Sequence, residues 1–140
     1  MSILSDELLL PRYDGMTSKE AAKELNRRDV AALTTIEASR IGQFFMLRNV
    51  WLDMKRSSSD EAELAFDALL QFDGFDMNEN LESKLLNDIL DGLVTDVTVT
   101  KFNQAKKDKI IGWGDINISR ATELGISVDT SKVQRVRGEV

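Results

Sequence analysis

The chain has 140 residues and a net charge of −6, with neither histidine nor cysteine. That length fits one domain, large enough to bury a core without cross-links. The missing residue types remove disulfides and thiolate metal sites, the commonest neutral-pH acid–base group and a principal transition-metal ligand.

With 42% apolar residues the chain reads as globular, not disordered. The start, "MSILSDELLLPRYDG", lacks a basic region, and Asp6 and Glu7 interrupt its short apolar run, so it does not read as a signal peptide. No stretch approaches the roughly 18 consecutive apolar residues of a spanning helix. These features predict a soluble protein, intracellular where it is made (a host cell included), with no membrane partner.

Residues 1–16 read as an arm: a turn of helix in "ILSDELLLP" before Pro11, then the loop "RYDGM". Leu8, Leu9 and Leu10 in succession require burial, on their own domain or on a neighbouring subunit. "TSKEAAKELNRR" opens with a capping box, Thr17 accepting from the amide near Glu20 and Glu20 reaching back to Thr17. Ala21, Ala22 and Leu25 form its modest apolar face.

Residues 34–56, "TTIEASRIGQFFMLRNVWLDMKR", make the strongest predicted helix, with a second capping box at Thr34 and Glu37. Leu47, Val50, Trp51 and Met54 follow i, i+3, i+4, i+7 spacing, and Ile41, Phe44, Phe45 and Leu52 widen the stripe beyond one face. A helix apolar nearly all round is central, or lies between its own core and a partner.

In "SSSDEAELAFDALLQFDG", Ser58 and Glu61 repeat the capping box, Ala62, Ala65, Phe66 and Leu69 face inward, and Gly74 is a natural stop. "NENLESKLLNDILDG" repeats Leu81, Leu85, Ile89 and Leu93 and can be capped by Asn78 or Asn80. "VTDVTVT" shows no partner strand and reads as an extended link, its Thr98 capping "TKFNQAKKDKIIGW". After the interruption "GWGD", Asp115 caps "INISRATEL", which turns Ile118, Ala121 and Leu124 inward and ends at Gly125. "DTSKVQRVR" supplies a last turn or two, with Val133 and Val136 inward. The fold class expected is all-α: a single compact bundle of about six to seven short-to-medium helices, residues 17–140, preceded by the arm.

Charge is distributed unevenly. Residues 60–99 carry eleven acidic groups against Lys84 alone, whereas residues 100–140 carry eight basic and five acidic groups. Such asymmetry marks a solvated face or a steered contact. It also permits head-to-tail packing of subunits, acidic middle against basic C-terminal third.

The residues offer little catalytic chemistry. Asp76, Asn78, Asn80 and Glu82 mimic the first half of a calcium loop, but Leu81 replaces the glycine at position 6 and Asn87 the glutamate at position 12, so capping explains them better. Asp88 and Asp91 share a helix face with nothing to mark them as buried. Ser83 and Lys84, as helical neighbours, do not face each other. Asp115 after "GWG" repels phosphate at a helix start. No enzyme activity, cofactor or metal is expected. Lys101, Lys106, Lys107, Lys109, Arg120, Lys132, Arg135 and Arg137 form a basic run, but the acidic balance of the chain argues against direct nucleic-acid binding.

Two stretches carry a resemblance. "YDGMTSKEAAKELN" (residues 13–26) resembles the opening, and "SRATELGISVDTSKVQRVR" (residues 119–137) the ending, of a family of small tailed-bacteriophage proteins encoded near virion morphogenesis genes. Together they cover about a quarter of the chain, in the expected order. Residues 35–98 have no counterpart in the resemblance, and "GWGDIN" departs from the family pattern. The family carries no catalytic motif, so the resemblance implies context: a non-enzymatic virion component at the neck, head–tail junction or another vertex, found in the virion and, during assembly, in the host cytoplasm. It implies turn positions at Gly15 and Gly125, a cap at Thr17 and Glu20, and pairing of Arg120 with Glu123 or across a contact.

The partners expected are further copies of the chain and other virion proteins. The leucine arm and the over-apolar central helix suggest the subunit contacts: Leu8, Leu9, Leu10, Phe45 and Trp51, with Arg120 and Glu123 added from the C-terminal signature. The alternative expectation is an accessory phage protein whose acidic surface, residues 60–99, binds and inhibits a host protein.

Overall fold

Asn49 holds a left-handed backbone (φ 60°) in the middle of the expected long helix, and from such local choices the elements take their bounds. The computed structural model describes residues 2–139. The first half contains α1 (Ile3–Leu8), a 3-10 turn (Pro11–Tyr13), α2 (Ser18–Asn26), β1 (Val30–Leu33), β2 (Thr35–Glu37), α3 (Ala38–Leu47), α4 (Val50–Arg56) and α5 (Asp60–Gln71). The second contains β3 (Gly74–Asp76), α6 (Asn80–Thr95), α7 (Gln104–Gly112), β4 (Asp115–Ile118), α8 (Arg120–Glu123) and α9 (Thr130–Val136).

The protein is mostly helical, but not all-α. Among the described residues four short strands form two two-stranded pairs, β1 with β4 and β2 with β3. Nine α-helices among the described residues replace the six or seven expected. The expected helix over residues 34–56 is a strand and two helices. Thr35, Ile36 and Glu37 pair antiparallel with Asp76, Phe75 and Gly74, and Glu37 makes no side-chain cap for α3. β-branched residues at 34–36 favour this extended start, and Asn is among the few residues that tolerate the left-handed turn separating α3 from α4. Gly74 ends no helix: a Cβ there would lie 2.8 Å from Thr35 Cγ2 and 3.0 Å from the Ile36 carbonyl, so glycine is what lets the two strands approach.

Other caps moved by a residue or more. Ser59, not Ser58, accepts from the Ala62 amide at the start of α5. Glu79, not Asn78 or Asn80, caps α6. Asn103, not Thr98, caps α7, and Ser119, not Asp115, caps α8 while Asp115 enters β4. The Thr17–Glu20 capping box forms as expected, with both hydrogen bonds at 3.2 Å.

The chain divides into two compact units: residues 1–32 with 117–140, and residues 33–116. The expected division into an arm and one domain does not follow this partition, because residues 1–16 belong to a unit completed by the C-terminal segment. In the first unit α2 packs on α8 and α9, and α1 on α9. Its core is Leu4, Tyr13, Ala21, Ala22, Leu25, Ala121, Val128 and Val133. In the second, α6 packs between α5 and α7, and α3 meets α4 and α5. Ile41, Phe45, Val50, Ala65, Phe75, Leu93 and Ile110 are its fully buried centre. The serine linker before α5 is fastened to the end of α6 by Ser59 donating to Asp96.

Candidate contact residues and a buried ion-pair cluster

α1 sets the first site. Leu4 and Glu7 are both buried, and Leu8 is half-buried against the same core. The segment expected as an arm is therefore seated within its own unit. Leu9 and Leu10 stay on the surface, 72% and 41% exposed.

Glu7 is a carboxylate at 4% exposure, and a buried charge is tolerable only when paired and hydrogen-bonded. Its Oε1 accepts from Arg120 Nε at 2.7 Å and from the Tyr13 hydroxyl at 3.1 Å, and its Oε2 accepts from Arg120 Nη2 at 3.1 Å. Arg120 also donates to Glu123 one turn along α8. The Arg120 hydrogen bond, more than any other influence, holds the Glu7 carboxyl below its ordinary value of 4.5. Burial first, and then the Glu7 charge, push the Tyr13 hydroxyl up to about 12. Near neutral pH Glu7 is thus ionised with its acceptor positions engaged, and Tyr13 stays protonated. The cluster holds a buried charge in place.

Of the residues expected at subunit contacts, Arg120 and Glu123 do pair with each other, but Arg120 is also committed to Glu7 inside the unit. Phe45 is corrected outright. It is fully buried, edge-on to Phe102 with ring centroids 5.4 Å apart, and offers no surface to a partner. Trp51 is half-buried, with its ring 4.8 Å from Phe66 and edge-on to it.

Glu7 had a readable signal. It falls three residues after Leu4 and one before Leu8, on the apolar face of a short helix. The partner that neutralises it is 113 positions away and had none. Asp76 accepts from the Asn78 amide at 2.9 Å, and Asn78 Nδ2 donates to the Leu33 carbonyl at 2.7 Å, so these residues build the turn between β3 and α6. Asp88 pairs with Lys84, and Asp91 with Lys107. Between α1 and α9 lies an open groove of about 430 Å³, with Leu4, Ile126 and Val136 along its walls and Lys132 and Arg135 at its side.

The two signature-like stretches meet in this unit. Asn26 Nδ2 donates to the Val128 carbonyl at 2.9 Å, Arg137 Nη1 to the Met16 carbonyl at 2.8 Å, and the Ser18 hydroxyl to Glu139 at 2.7 Å. Comparison with protein-family profiles, characterised proteins and solved structures gives no match. No helix among the described residues is long and apolar enough to cross a membrane.

Proposed function

We propose that the chain is a non-enzymatic, homo-oligomeric component of a tailed-phage particle, placed at the neck, head–tail junction or another vertex. The observation that carries this reading is the joining of residues 13–26 and 119–137, the two stretches that resemble the phage family, in one compact unit. A resemblance confined to two distant segments gains weight when those segments form one folded body. Self-association is supported by large apolar side chains left on the surface, among them Leu9, Leu47, Leu70 and Leu81, each more than two-thirds exposed. Mass spectrometry of purified particles, with copy number, tests the reading, alongside light scattering of the purified protein. Incorporation at a fixed copy number and a multimer in solution are expected. A monomer absent from particles would sink it.

A second reading draws on the acidic surface. Asp60, Glu63 and Asp67 are exposed on α5 and form no ion pair among the described residues. They suit a basic groove of a host protein. Such binding should weaken steeply with ionic strength, and the protein would then be missing from the particle.

A further inference from the structure

One basic patch stands out on the unit formed by residues 33–116. Arg40 of α3 lies over Trp113, its Cζ 4.2 Å from the ring centroid, and Arg48 lies over Phe44 at 3.8 Å. Lys109 of α7 brings its Nζ within 5.9 Å of the same Phe44 ring. The two rings meet edge-on, with centroids 5.3 Å apart, which gathers the three cations into one place. None of them pairs with a carboxylate among the described residues. A guanidinium resting its face on an aromatic ring keeps its N–H edge free for a carboxylate and is already ordered. Beside these cations α3 exposes Met46 and Leu47, the latter at 80%.

The same unit carries the complementary surface. On α5, Asp60, Glu63, Leu64, Asp67 and Leu70 fall within one helical face and all are exposed. Three carboxylates free of ion pairs thus share a face with two leucines, matching three free cations beside a leucine and a methionine. No ion pair joins the two sets within the chain.

We propose that the Arg40–Arg48–Lys109 patch receives the α5 face of a second copy. This rests on the homo-oligomeric part of the proposed function and names its contact. Two copies can pair reciprocally, patch to face twice, and close a dimer; joined head to tail, each added copy leaves one of each surface open and builds a ring or a filament. A protein carboxylate face fits better than a nucleic-acid backbone. Unit 33–116 holds fifteen acidic and nine basic residues, and an extended polyanion leaving the patch would meet that negative surface.

The test is a charge exchange, read by sedimentation velocity at low salt. One variant carries R40E, R48E and K109E; the other carries D60K, E63K and D67K. Each alone should self-associate about 100-fold more weakly than the wild type, since it sets like charges against each other. Mixed in equal amounts, the two should reassemble with alternating composition. Circular dichroism confirms folding, and Leu47→Glu, at a side chain already in solvent, provides a variant that should weaken association while its melting temperature, taken at a concentration where the wild type is dissociated, stays unchanged. Variants that associate as tightly as wild type, or a mixture that fails to reassemble, would overturn the contact. So would loss of single-stranded oligonucleotide binding in the first variant with association unchanged, which would make the patch a nucleic-acid site. Failure here with normal incorporation into particles would remove the contact and leave the particle role standing.

Discussion

Glu7 and Arg120 grip each other through two parallel hydrogen bonds, Oε1 to Nε at 2.7 Å and Oε2 to Nη2 at 3.1 Å. The fork-to-fork geometry fixes orientation as well as distance. Because Glu7 is buried and Arg120 opens α8, the pair locks the first helix of the chain to the C-terminal segment. Glu7→Gln keeps the shape and removes the charge. It should lower stability by about 2 kcal/mol, the usual worth of hydrogen bonds to a charged group, measured by urea denaturation.

The same pair sets an acid limit. The folded carboxyl of Glu7 sits below 4.5, so its stabilising contribution is complete above that value and is lost as pH falls through the folded pKa. The stability difference between wild type and Glu7→Gln should therefore be constant above pH 4.5 and shrink towards zero below it. A difference that stays constant into strong acid would contradict the assignment.

Tyr13 gives the alkaline counterpart. It is the one tyrosine in the chain, so phenolate absorbance reports it alone. Its pKa is raised from 10.0 to about 12, so the contribution of Tyr13 to stability is complete below pH 10 and is lost as pH rises from there through about 12. Tyr13→Phe should cost about 1 kcal/mol at neutral pH for the lost hydrogen bond, and that difference from wild type should disappear as pH rises from 10 through about 12.

Phe45 and Leu47 are two residues apart on α3 and should behave oppositely. Phe45 is fully buried and Leu47 is 80% exposed. Phe45→Ala should destabilise by about 3–5 kcal/mol through the cavity it leaves. Leu47→Ala should change folding stability by less than about 0.5 kcal/mol. Thermal melts of the two variants separate core from surface on one helix.

Gly125 closes α8 with φ +71° and open space around its α-carbon. Alanine there meets no neighbour, so its cost is backbone strain alone, about 1 kcal/mol. A neutral substitution would mean that the turn relaxes out of the left-handed region.

The apolar helical segments and one cap were legible in the residues; most other caps fell one or more positions away, and distant pairing left no trace. The Thr17–Glu20 box needs only neighbours a turn away. The strands β2 and β3, three residues each, exist because Ile36 finds Phe75 nearly forty residues on, and no period in either segment announces it. Asn49 was hidden because the apolar spacing runs on through the break. The basic patch left no mark in the sequence because Arg40, Arg48 and Lys109 come from α3, the residue after it and α7, and are unified only by the rings between them. The division into two units was hidden for the same reason, since one of them is built from both ends of the sequence.

That last arrangement makes the two units unequal in what a partial chain can complete. Residues 33–116 are one uninterrupted stretch with a core of their own, and domains generally fold as units. Leu4, Leu25 and the Glu7 carboxylate instead share their unit with Ala121, Val128, Val133 and Arg120, all from the far segment. A fragment cut before Arg120 would therefore keep a middle able to fold and carry an unfinished apolar segment beside it, a state in which chaperones or premature self-association have their opening.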